Sequence, residues 1–375
     1  MAERFRVLMI SKACYVAAYR RKLEELATFP DVDLTLVVPP YWVQNGRRAL
    51  LEPGHTEGYQ MVVRNPALNG HFHLHFYPRL GDLVQDLRPD LVHIDEEPYD
   101  LVTFHALRIA RRSGARTVFF TWQNLRRRLP PPFTWFLAFA LNHTDAAIAG
   151  NTAAAAILRD RGYRGPLALI PQFGVDEAVF TPACRSEGRE QGPLRIGYAG
   201  RLVPEKGLPV LLHAVAGLED DWQLTLLGAG PERPHLERLA QGLGIAERVT
   251  VPASLPSTAM PAFYRSLDVL VLPSLTRPNW KEQFGRVLIE AMACGVPPVG
   301  SASGEIPNVI GDAGLTFPEG DALALREQLQ RLAHQPDLRA RLGERGRQRV
   351  LAHYTQRQVA AQTYALYCRV LSAPR

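Results

Sequence analysis

A chain of 375 residues is too long for one ordinary hydrophobic core, since single cores stop growing at roughly 250–300 residues, and two domains are expected. The composition, 46% hydrophobic and 21% charged, excludes a largely disordered chain. A formal net charge of +6 favours acidic ligands such as nucleotides, anionic lipids or nucleic acid, but a merely soluble basic surface explains it equally well.

Cysteine spacing and apolar runs limit the class of protein further. Cys14, Cys184, Cys294 and Cys368 lie far apart with no CxxC pair, so neither a zinc site nor a disulfide framework is indicated. The first apolar run is short and lacks a cleavage-site pattern, which predicts a buried strand rather than a signal peptide. The apolar stretch 133–141 is about half of the roughly 20 residues that span a bilayer. We therefore expect a cytoplasmic protein without a membrane span.

Short apolar runs alternate with helical patterns in the first half of the chain. The strand candidates, in order, are RVLMI, VDLTLVVP, PDLVHI, ARTVFFT and DAAIAG, and an amphipathic segment from Tyr15 to Ala27 follows the first. This alternation predicts a parallel sheet with helices on both faces.

The same pattern restarts after a polar stretch at 181–192, which is typical of a linker, with LRIGYAG, WQLTLLG, RVTVP, DVLVLP and PPVGS. We predict two α/β, Rossmann-like domains with doubly wound parallel sheets, over residues 1–180 and 193–350. Ligands bind at the carboxyl ends of such strands, so we expect the site in an interdomain cleft. Apolar spacing over 351–375 predicts a terminal helix that packs back on the first domain.

The most informative stretch is EQFGRVLIEAMACGVP, residues 282–297, in which Gly285 opens an apolar helix and a Gly-Val-Pro sequence closes it. Backbone N–H groups of Phe284 and Gly285 at that helix start suit an anion. Glu282 and Glu290 would flank it and accept hydrogen bonds from hydroxyl-rich rings on either side of a diphosphate. The alternative is a charge that favours the helix dipole at Glu282 and a solvated Glu290.

A second stretch, GYAGRLVPEKG, directly follows a predicted strand. Its glycines free the backbone at Gly200 and Gly207, and the cations Arg201 and Lys206 are placed to clamp phosphate oxygens. As isolated charges, the two cations would more often face solvent.

Together these stretches resemble the retaining group 1 (GT4) glycosyltransferases, which have the GT-B fold. Glu282 and Glu290 match the E-x7-E motif of that family, and residues 200–207 match its G-R-L-x-x-x-K-G turn. Three further segments match in family order: GAGPE at 228–232, DVLVLPS at 268–274 and SGEIPNVI at 303–310. The resemblance therefore covers the whole second domain.

The resemblance implies a hexosyltransferase that moves a sugar from a UDP- or GDP-linked donor to a hydroxyl of a glycan, lipid or small-molecule acceptor, with no cofactor and no metal. It implies a front-face route in which the departing diphosphate helps to receive the acceptor proton. Arg201 and Lys206 would hold the diphosphate, Glu290 the ribose hydroxyls and Glu282 the transferred sugar. The implied catalytic residues are Glu282, Arg201 and Lys206, and the implied donor-binding residues are Gly200, Arg201, Lys206, Glu282, Phe284, Gly285 and Glu290.

The first domain departs from the family pattern at two places. No glycine occurs in the loop 11–19, where many members are glycine-rich, and Lys12 is either a cationic contact or a lysine at a helix start. No histidine occurs at Thr121 to Asn124, where numerous relatives carry one. Gln123 and Asn124 can hydrogen-bond substrate but cannot act as a base, so the group that removes the acceptor proton stays open.

Acidic residues after the strand PDLVHI complete the acceptor-side candidates. Because adjacent side chains on an extended chain point opposite ways, we expect only one of Glu96 and Glu97 to face the site and the other to face solvent. The acceptor-side candidates are His93, Glu96, Glu97, Gln123 and Asn124.

A basic loop, Arg126 to Arg128, precedes three prolines and the apolar stretch 133–141. Cations beside an apolar segment suit peripheral contact with anionic lipid at the inner face of a membrane, where a lipid-linked acceptor would lie. The alternative is an internal helix of the first domain behind an exposed basic loop.

Other functions stay open beside this one. A nucleotide-sugar epimerase or a sugar phosphorylase shares the architecture and would also bind phosphate, and a catalytically idle nucleotide-sugar binder is a further alternative. Nucleic-acid binding is disfavoured because no RNP-like motif or recognition helix is present. A dinucleotide-binding dehydrogenase is disfavoured because no strand is followed by G-x-G-x-x-G. Neither the acceptor nor the oligomeric state follows from the sequence.

Overall fold

The computed structural model describes residues 4–44, 46–182 and 192–374. The chain divides into two compact units, one made of Met1–Gly174 with Gln356–Arg375 and the other of Val175–Thr355. We call them the first and the second unit. The predicted linker at 181–192 falls mainly on residues 183–191, outside the described residues, as does Cys184.

A seven-stranded parallel sheet forms the centre of the first unit. The strands of this unit are β1 (Phe5–Ile10), β2 (Val32–Val38), β3 (Tyr41–Gln44), β4 (Arg47–Leu50), β5 (Gln60–Val63), β6 (Leu91–Ile94), β7 (Arg116–Thr121), β8 (Ala146–Ala149) and β9 (Leu167–Leu169). The sheet order is β5-β2-β1-β6-β7-β8-β9, and β3 and β4 form a separate antiparallel pair.

Helices cover both faces of this sheet. They are α1 (Ala17–Ala27), α2 (Leu80–Leu87), α3 (Leu101–Ser113), α4 (Phe133–His143) and α5 (Thr152–Asp160). Alternate side chains of β1 enter two different cores, because successive residues of a strand point to opposite faces. Val7 and Met9 lie in one core with Leu23 of α1, whereas Leu8 and Ile10 lie in the other, which residues of α2 and α3 complete.

The second unit repeats this plan with a six-stranded parallel sheet. Its strands are β10 (Leu194–Ala199), β11 (Trp222–Leu227), β12 (Val249–Thr250), β13 (Val269–Leu272), β14 (Pro298–Ser301) and β15 (Leu315–Phe317), in the order β12-β11-β10-β13-β14-β15. Its helices are α6 (Leu208–Ala216), α7 (Arg233–Gly242), α8 (Met260–Arg265), α9 (Arg286–Ala293), α10 (Ile306–Ile310), α11 (Ala322–His334) and α12 (Pro336–His353). Strands β13 and β14 are buried along their whole length, as expected for parallel strands covered on both faces.

The last helix, α13 (Gln356–Ser372), belongs to the first unit and packs against α1. Its residues Leu366, Tyr367 and Val370 are at most 3% exposed in the core shared with α1. The chain changes unit after Gly174 and again after Thr355, rather than at residues 180 and 351. Segment 175–180 belongs to the second unit because it is tied to α12, as in the hydrogen bond from Arg347 Nη1 to the carbonyl oxygen of Phe180, 2.6 Å.

The structure confirms the predicted class of two doubly wound parallel sheets, and each proposed strand run contains a strand. The predictions from the sequence did not include β5, β9 and β15, which lie at sheet edges, or the β3–β4 pair. Cys14, Cys294 and Cys368 form no disulfide. Within the described ranges, no helix combines the length and the apolarity that a membrane crossing requires.

Candidate active site

The turn after β10 carries the glycines that the sequence singled out. Gly200 and Gly207 have φ of +152° and +64°, and a Cβ on Gly207 would lie 2.1 Å from the carbonyl oxygen of Pro273. A Cβ on Gly228, which follows β11, would lie 1.9 Å from the carbonyl oxygen of Gly200. Only glycine fits at positions 207 and 228 without displacing backbone. The turn therefore has a defined path along the carboxyl ends of two neighbouring strands.

Arg201, the second residue of this turn, has an exposed side chain. Its carbonyl oxygen accepts a 2.8 Å hydrogen bond from the hydroxyl of the buried Tyr198. Its guanidinium is 66% exposed and lies 3.6 Å from Glu205, a surface ion pair of small energy. The backbone of Arg201 is thus fixed, while its guanidinium can exchange partners at little cost.

Lys206 and Glu282 form an enclosed ion pair. The Nζ–Oε2 distance is 2.6 Å, and only 14% and 10% of the two side chains are exposed. The hydroxyl of Ser274, which follows β13, donates to the same carboxylate oxygen at 2.8 Å. The ammonium also lies 4.9 Å from the ring centroid of Trp280, within cation–π range. The cation and the carboxylate named by the sequence therefore meet, with two partners that it did not name.

The segment between Glu282 and α9 is fixed through its backbone. Glu305 N donates to the carbonyl oxygen of Glu282 at 3.2 Å, and a Cβ on Gly304 would lie 2.0 Å from that oxygen. Gly285 has φ of +82° and caps α9, and Phe284 beside it is buried. This short segment therefore contacts the turn at 303–305 through Glu282 and ends at the positive end of the α9 dipole.

Glu290, the second carboxylate of the motif, lies on α9 with 8% of its side chain exposed. Its Oε2 accepts a 2.6 Å hydrogen bond from the Tyr264 hydroxyl of α8, and its Oε1 pairs with Arg286 Nε at 2.8 Å. Burial and the Glu290 charge raise the pKa of Tyr264 well above its ordinary value, so this hydroxyl remains a donor. The alternative of a solvated Glu290 is wrong, because α8 covers it.

In the first unit, Lys12 after β1 meets Glu96 after β6. The Lys12 ammonium contacts Glu96 Oε2, and Lys12 N donates to Oε1 at 2.7 Å. Burial lowers the pKa of Lys12, but the carboxylates of Glu96 and Asp100 outweigh it and raise the pKa above its ordinary value. The ammonium also lies 5.4 Å from the ring of Phe72. Lys12 is therefore a fixed cation beyond the carboxyl end of β1 and not a solvated lysine.

Glu97 holds the end of β7. Its Oε2 accepts from Thr121 Oγ1 at 2.5 Å and its Oε1 from Trp122 N at 2.8 Å. Burial raises the pKa of Glu97 to about 7 although these two donors lower it. The prediction that one of Glu96 and Glu97 faces solvent is wrong, because both side chains bind partners within the first unit.

Gln123 and Asn124 follow directly after this contact. Gln123 is 9% exposed, its N–H donates to Thr121 Oγ1 at 3.1 Å, and its side-chain Nε2 has no hydrogen-bond partner within the described part of the chain. Asn124 is half-buried. The Gln123 amide is therefore a buried donor that a ligand or a water molecule would satisfy.

His93 lies apart from the other acceptor-side candidates. It is 2% exposed, and its Nδ1 lies 2.6 Å from the Tyr367 hydroxyl of α13 in the core. Burial lowers its pKa to about 4, so the imidazole is neutral. The acceptor-side interpretation of His93 is therefore wrong, because β6 turns this side chain into the α1–α13 core.

The basic loop and α4 lie in the first unit. Arg126 pairs with Asp160 at 2.8 Å in an exposed ion pair. Helix α4 buries Phe136 and Leu137, while Trp135 is 69% exposed. Helix α4 is thus a packed helix of the first unit that leaves one large aromatic ring in solvent.

Three residues that contact Lys206, Glu282 or Glu290 were missed from the sequence. Ser274 stands in the segment DVLVLPS, so its position after a buried strand was a usable signal. Tyr264 and Trp280 carry no such signal, because their contacts depend on how α8 and the loop before Glu282 fold back. Among the described residues, no group of three or more His, Cys, Asp or Glu side chains could hold a metal ion.

Two family models match the chain. The model "Glycosyltransferase Family 4" matches residues 24–204, and the model "Glycosyl transferases group 1" matches residues 182–349.

Curated relatives match over a little more than half of the chain. An MMP alpha-(1->4)-mannosyltransferase of Mycolicibacterium hassiacum is 34% identical over 228 residues, 59% of this chain and 53% of the relative. A D-inositol 3-phosphate glycosyltransferase of Salinispora tropica is 33% identical over 231 residues, 55% of this chain and 47% of the relative. The chain thus spans about half the length of the curated relatives it matches.

Solved structures share the fold over nearly the whole chain. Sucrose-phosphate synthase from Thermosynechococcus elongatus aligns with a TM-score of 0.73 at 22% identity, covering 99% of this chain and 100% of that one. Anabaena HepE, solved with UDP and glucose, aligns with a TM-score of 0.69 at 17% identity, covering 98% and 100%. The two sheets and these neighbours give the GT-B fold. The two family models, which together match residues 24–349, show that the chain belongs to the group 1, family 4 glycosyltransferases.

Proposed function

We propose that this protein is a retaining hexosyltransferase that transfers a sugar from a nucleotide diphosphate sugar to a hydroxyl of an acceptor. The observation that carries the proposal is the Lys206–Glu282–Ser274 cluster between the glycine turn at 200–207 and the N-terminus of α9. A cation, a carboxylate and a positive helix end within one enclosed corner suit a diphosphate joined to a hydroxyl-rich ring.

Binding of the diphosphate would change the partners of the two cations. Arg201 has only a weak ion pair to give up, so its planar guanidinium is ready for bidentate contact with phosphate oxygens. Lys206 would share its ammonium between Glu282 and the diphosphate, because an ammonium has three donors. Glu282 then gains capacity to accept hydrogen bonds from hydroxyls of the transferred sugar.

The rate of transfer would depend on how well the leaving diphosphate is stabilised. Negative charge grows on the diphosphate as the glycosidic bond breaks, and donors fixed in advance for that charge contribute most in an enclosed site. Arg201, Lys206 and the α9 terminus are such donors. In the retaining front-face route the same diphosphate, held beside the acceptor hydroxyl, receives its proton, so no protein base is required.

Glu290 would bind the ribose hydroxyls of the nucleotide. Tyr264 and Arg286 each occupy one of its oxygens, and a carboxylate offers about four lone-pair sites, so capacity remains for two hydroxyl donors. Fixing the carboxylate from two sides lowers the ordering cost of binding.

On the acceptor side we propose Glu96, Glu97, Gln123 and Asn124, with Lys12 as an added cation. Lys12 and Glu96 hold each other, and Glu97 holds the residues that follow β7. Glu97 in this interpretation orients Gln123, whose buried amide donor would meet an acceptor oxygen. We also propose that the exposed Trp135 and the loop Arg126 to Arg128 give peripheral contact with an anionic membrane, where a lipid-linked acceptor would be met.

The test is a donor screen with UDP-, GDP- and ADP-sugars by thermal shift and calorimetry. Wild type is compared with Arg201→Ala/Lys206→Ala and with a matched control, Arg238→Ala/Arg331→Ala, which removes two exposed cations of the same unit. Stabilisation of wild type and of the control, but not of the first variant, supports the proposal. If no donor stabilises wild type, or if all three proteins respond equally, the proposed donor site is wrong. Incubation with a responding donor and acceptor sugars, followed by product analysis, separates transfer from epimerisation.

A further inference from the structure

A cavity of about 320 Å³ lies on the first unit, between α3 and α4. It is lined by Arg108, Arg111 and Arg112 of α3 and by Phe139 of α4. None of these residues belongs to the donor or acceptor candidates. Three guanidinium groups around one concave surface raise the question of what balances their charge.

Within the described ranges, Arg108, Arg111 and Arg112 form no salt bridge with an acidic side chain. The spacings of Arg108 to the other two are i,i+3 and i,i+4, at which like charges destabilise a helix. Arg111 and Arg112 stand in the last turn of α3, where the helix dipole favours cations, but Arg108 stands a turn earlier and has no such compensation. The cluster therefore carries an electrostatic cost that a bound anion would remove.

Aromatic rings and a carbonyl oxygen hold two of these side chains in place. The Arg108 guanidinium lies 5.5 Å from the ring centroid of Phe104, and Arg111 Nη1 donates to the carbonyl oxygen of His143 at 3.3 Å. Phe139 stacks on the His143 ring at 4.2 Å and meets Phe104 edge-on at 5.0 Å. The cavity thus has one cationic wall that is partly ordered in advance and one apolar wall, formed by the Phe139 ring.

We propose that this cavity binds a phosphate group, as a phosphomonoester or phosphodiester. Guanidinium groups match phosphate oxygens in bidentate geometry, and a phosphate presents enough acceptors to engage more than one arginine at once, which a carboxylate does less well. The Phe139 wall suits the carbon atoms to which an ester phosphate is attached. The same chemistry is supplied by free phosphate compounds and by anionic lipid headgroups, and the site is independent of the proposed donor site.

The experiment uses the full chain with Arg201→Ala/Lys206→Ala as background, so that phosphate at the proposed donor site does not contribute. Onto it are placed Arg108→Gln/Arg111→Gln/Arg112→Gln or a matched control, Arg331→Gln/Arg341→Gln/Arg345→Gln, three exposed arginines of α11 and α12. Both triples remove the same charge. Circular dichroism and melting temperature establish that each variant is folded.

Binding is measured in two arms. Equilibrium dialysis with inorganic phosphate and with glycerol phosphate reports free ligands, and cosedimentation with phosphatidylcholine vesicles, with and without phosphatidylglycerol, reports headgroups. The α3 triple is expected to weaken binding about tenfold or more in at least one arm, with about twofold or less for the control. Loss confined to dialysis identifies a free phosphate compound, and loss in the vesicle arm identifies a lipid headgroup. Equal binding by the two triples in both arms would overturn the proposal.

Discussion

The enclosed Lys206–Glu282 pair leads to a prediction about stability that has a defined sign. Lys206→Met leaves the Glu282 carboxylate, 10% exposed, with Ser274 as its remaining donor among the partners described above. Removing one partner of a buried ion pair costs about 3–5 kcal/mol, and partial exposure together with the Ser274 hydrogen bond lowers our expectation to about 3 kcal/mol. Lys206→Met/Glu282→Gln removes both charges and should be more stable than Lys206→Met alone.

The expected interaction energy can be bounded from the structure. Two unit charges 2.6 Å apart attract by about 6 kcal/mol at an effective dielectric constant of about 20, before desolvation is subtracted. We expect about 1–3 kcal/mol of coupling to remain in a double-mutant cycle. For a unit of this size, about 3 kcal/mol corresponds to a fall in melting temperature of about 6–12 °C.

The assay is differential scanning calorimetry of wild type, Lys206→Met, Glu282→Gln and the double variant. Arg233 and Glu237 supply the control cycle, because they lie 2.9 Å apart but are 44% and 46% exposed. That surface pair should couple by about 0.5 kcal/mol or less. The reasoning is refuted if the effects of Lys206→Met and Glu282→Gln simply add, or if the surface pair couples as strongly.

Three other predictions follow. Gly228→Ala should lower the melting temperature and weaken donor binding, because its Cβ would lie 1.9 Å from the Gly200 carbonyl oxygen. The control Gly242→Ala on α7, where a Cβ would have nothing within 4 Å, should be neutral or stabilising. Equal melting temperatures of the two variants would contradict this prediction. Glu97 has a pKa raised from 4.5 to about 7, so at pH values between these two the folded protein binds more protons at Glu97 than the unfolded chain does. The contribution of Glu97 to the free energy of unfolding therefore falls as the pH rises through this range. The melting temperature of wild type relative to Glu97→Gln should therefore fall from pH 4.5 to 7 and level off above, and a flat difference would count against the shift. Transfer activity should survive EDTA, since in the proposed site cations and helix amides would hold the phosphate; full loss of activity that magnesium restores would contradict this.

Much of the fold was predictable because the sheet interior has a simple sequence pattern. Runs such as VLVL in β13 are buried on both faces, so they appear as continuous apolar segments between helices. Edge strands such as β5 are half in solvent and lack that contrast. The glycine turn and the E-x7-E segment were found because the spacing of their residues encodes the local backbone geometry of each.

The surroundings of the site were less predictable, because they depend on contacts between distant segments. Tyr264 reaches Glu290 only when α8 packs on α9, and nothing in the spacing of the two residues indicates this contact. His93 was placed wrongly although a signal existed. Val92 and Ile94 face the α2–α3 core, so strand alternation sends His93 to the opposite core with Met9 and Tyr367.

The return of α13 to the first unit affects the order in which the two units can fold during synthesis. A ribosome completes residues 175–355, one uninterrupted segment, before it adds the helix that the first unit still lacks. Until then, the face of α1 that will meet Leu366, Tyr367 and Val370 stays uncovered. The later unit in the sequence can therefore finish folding first, while the earlier one still has an exposed apolar surface of the kind that favours aggregation.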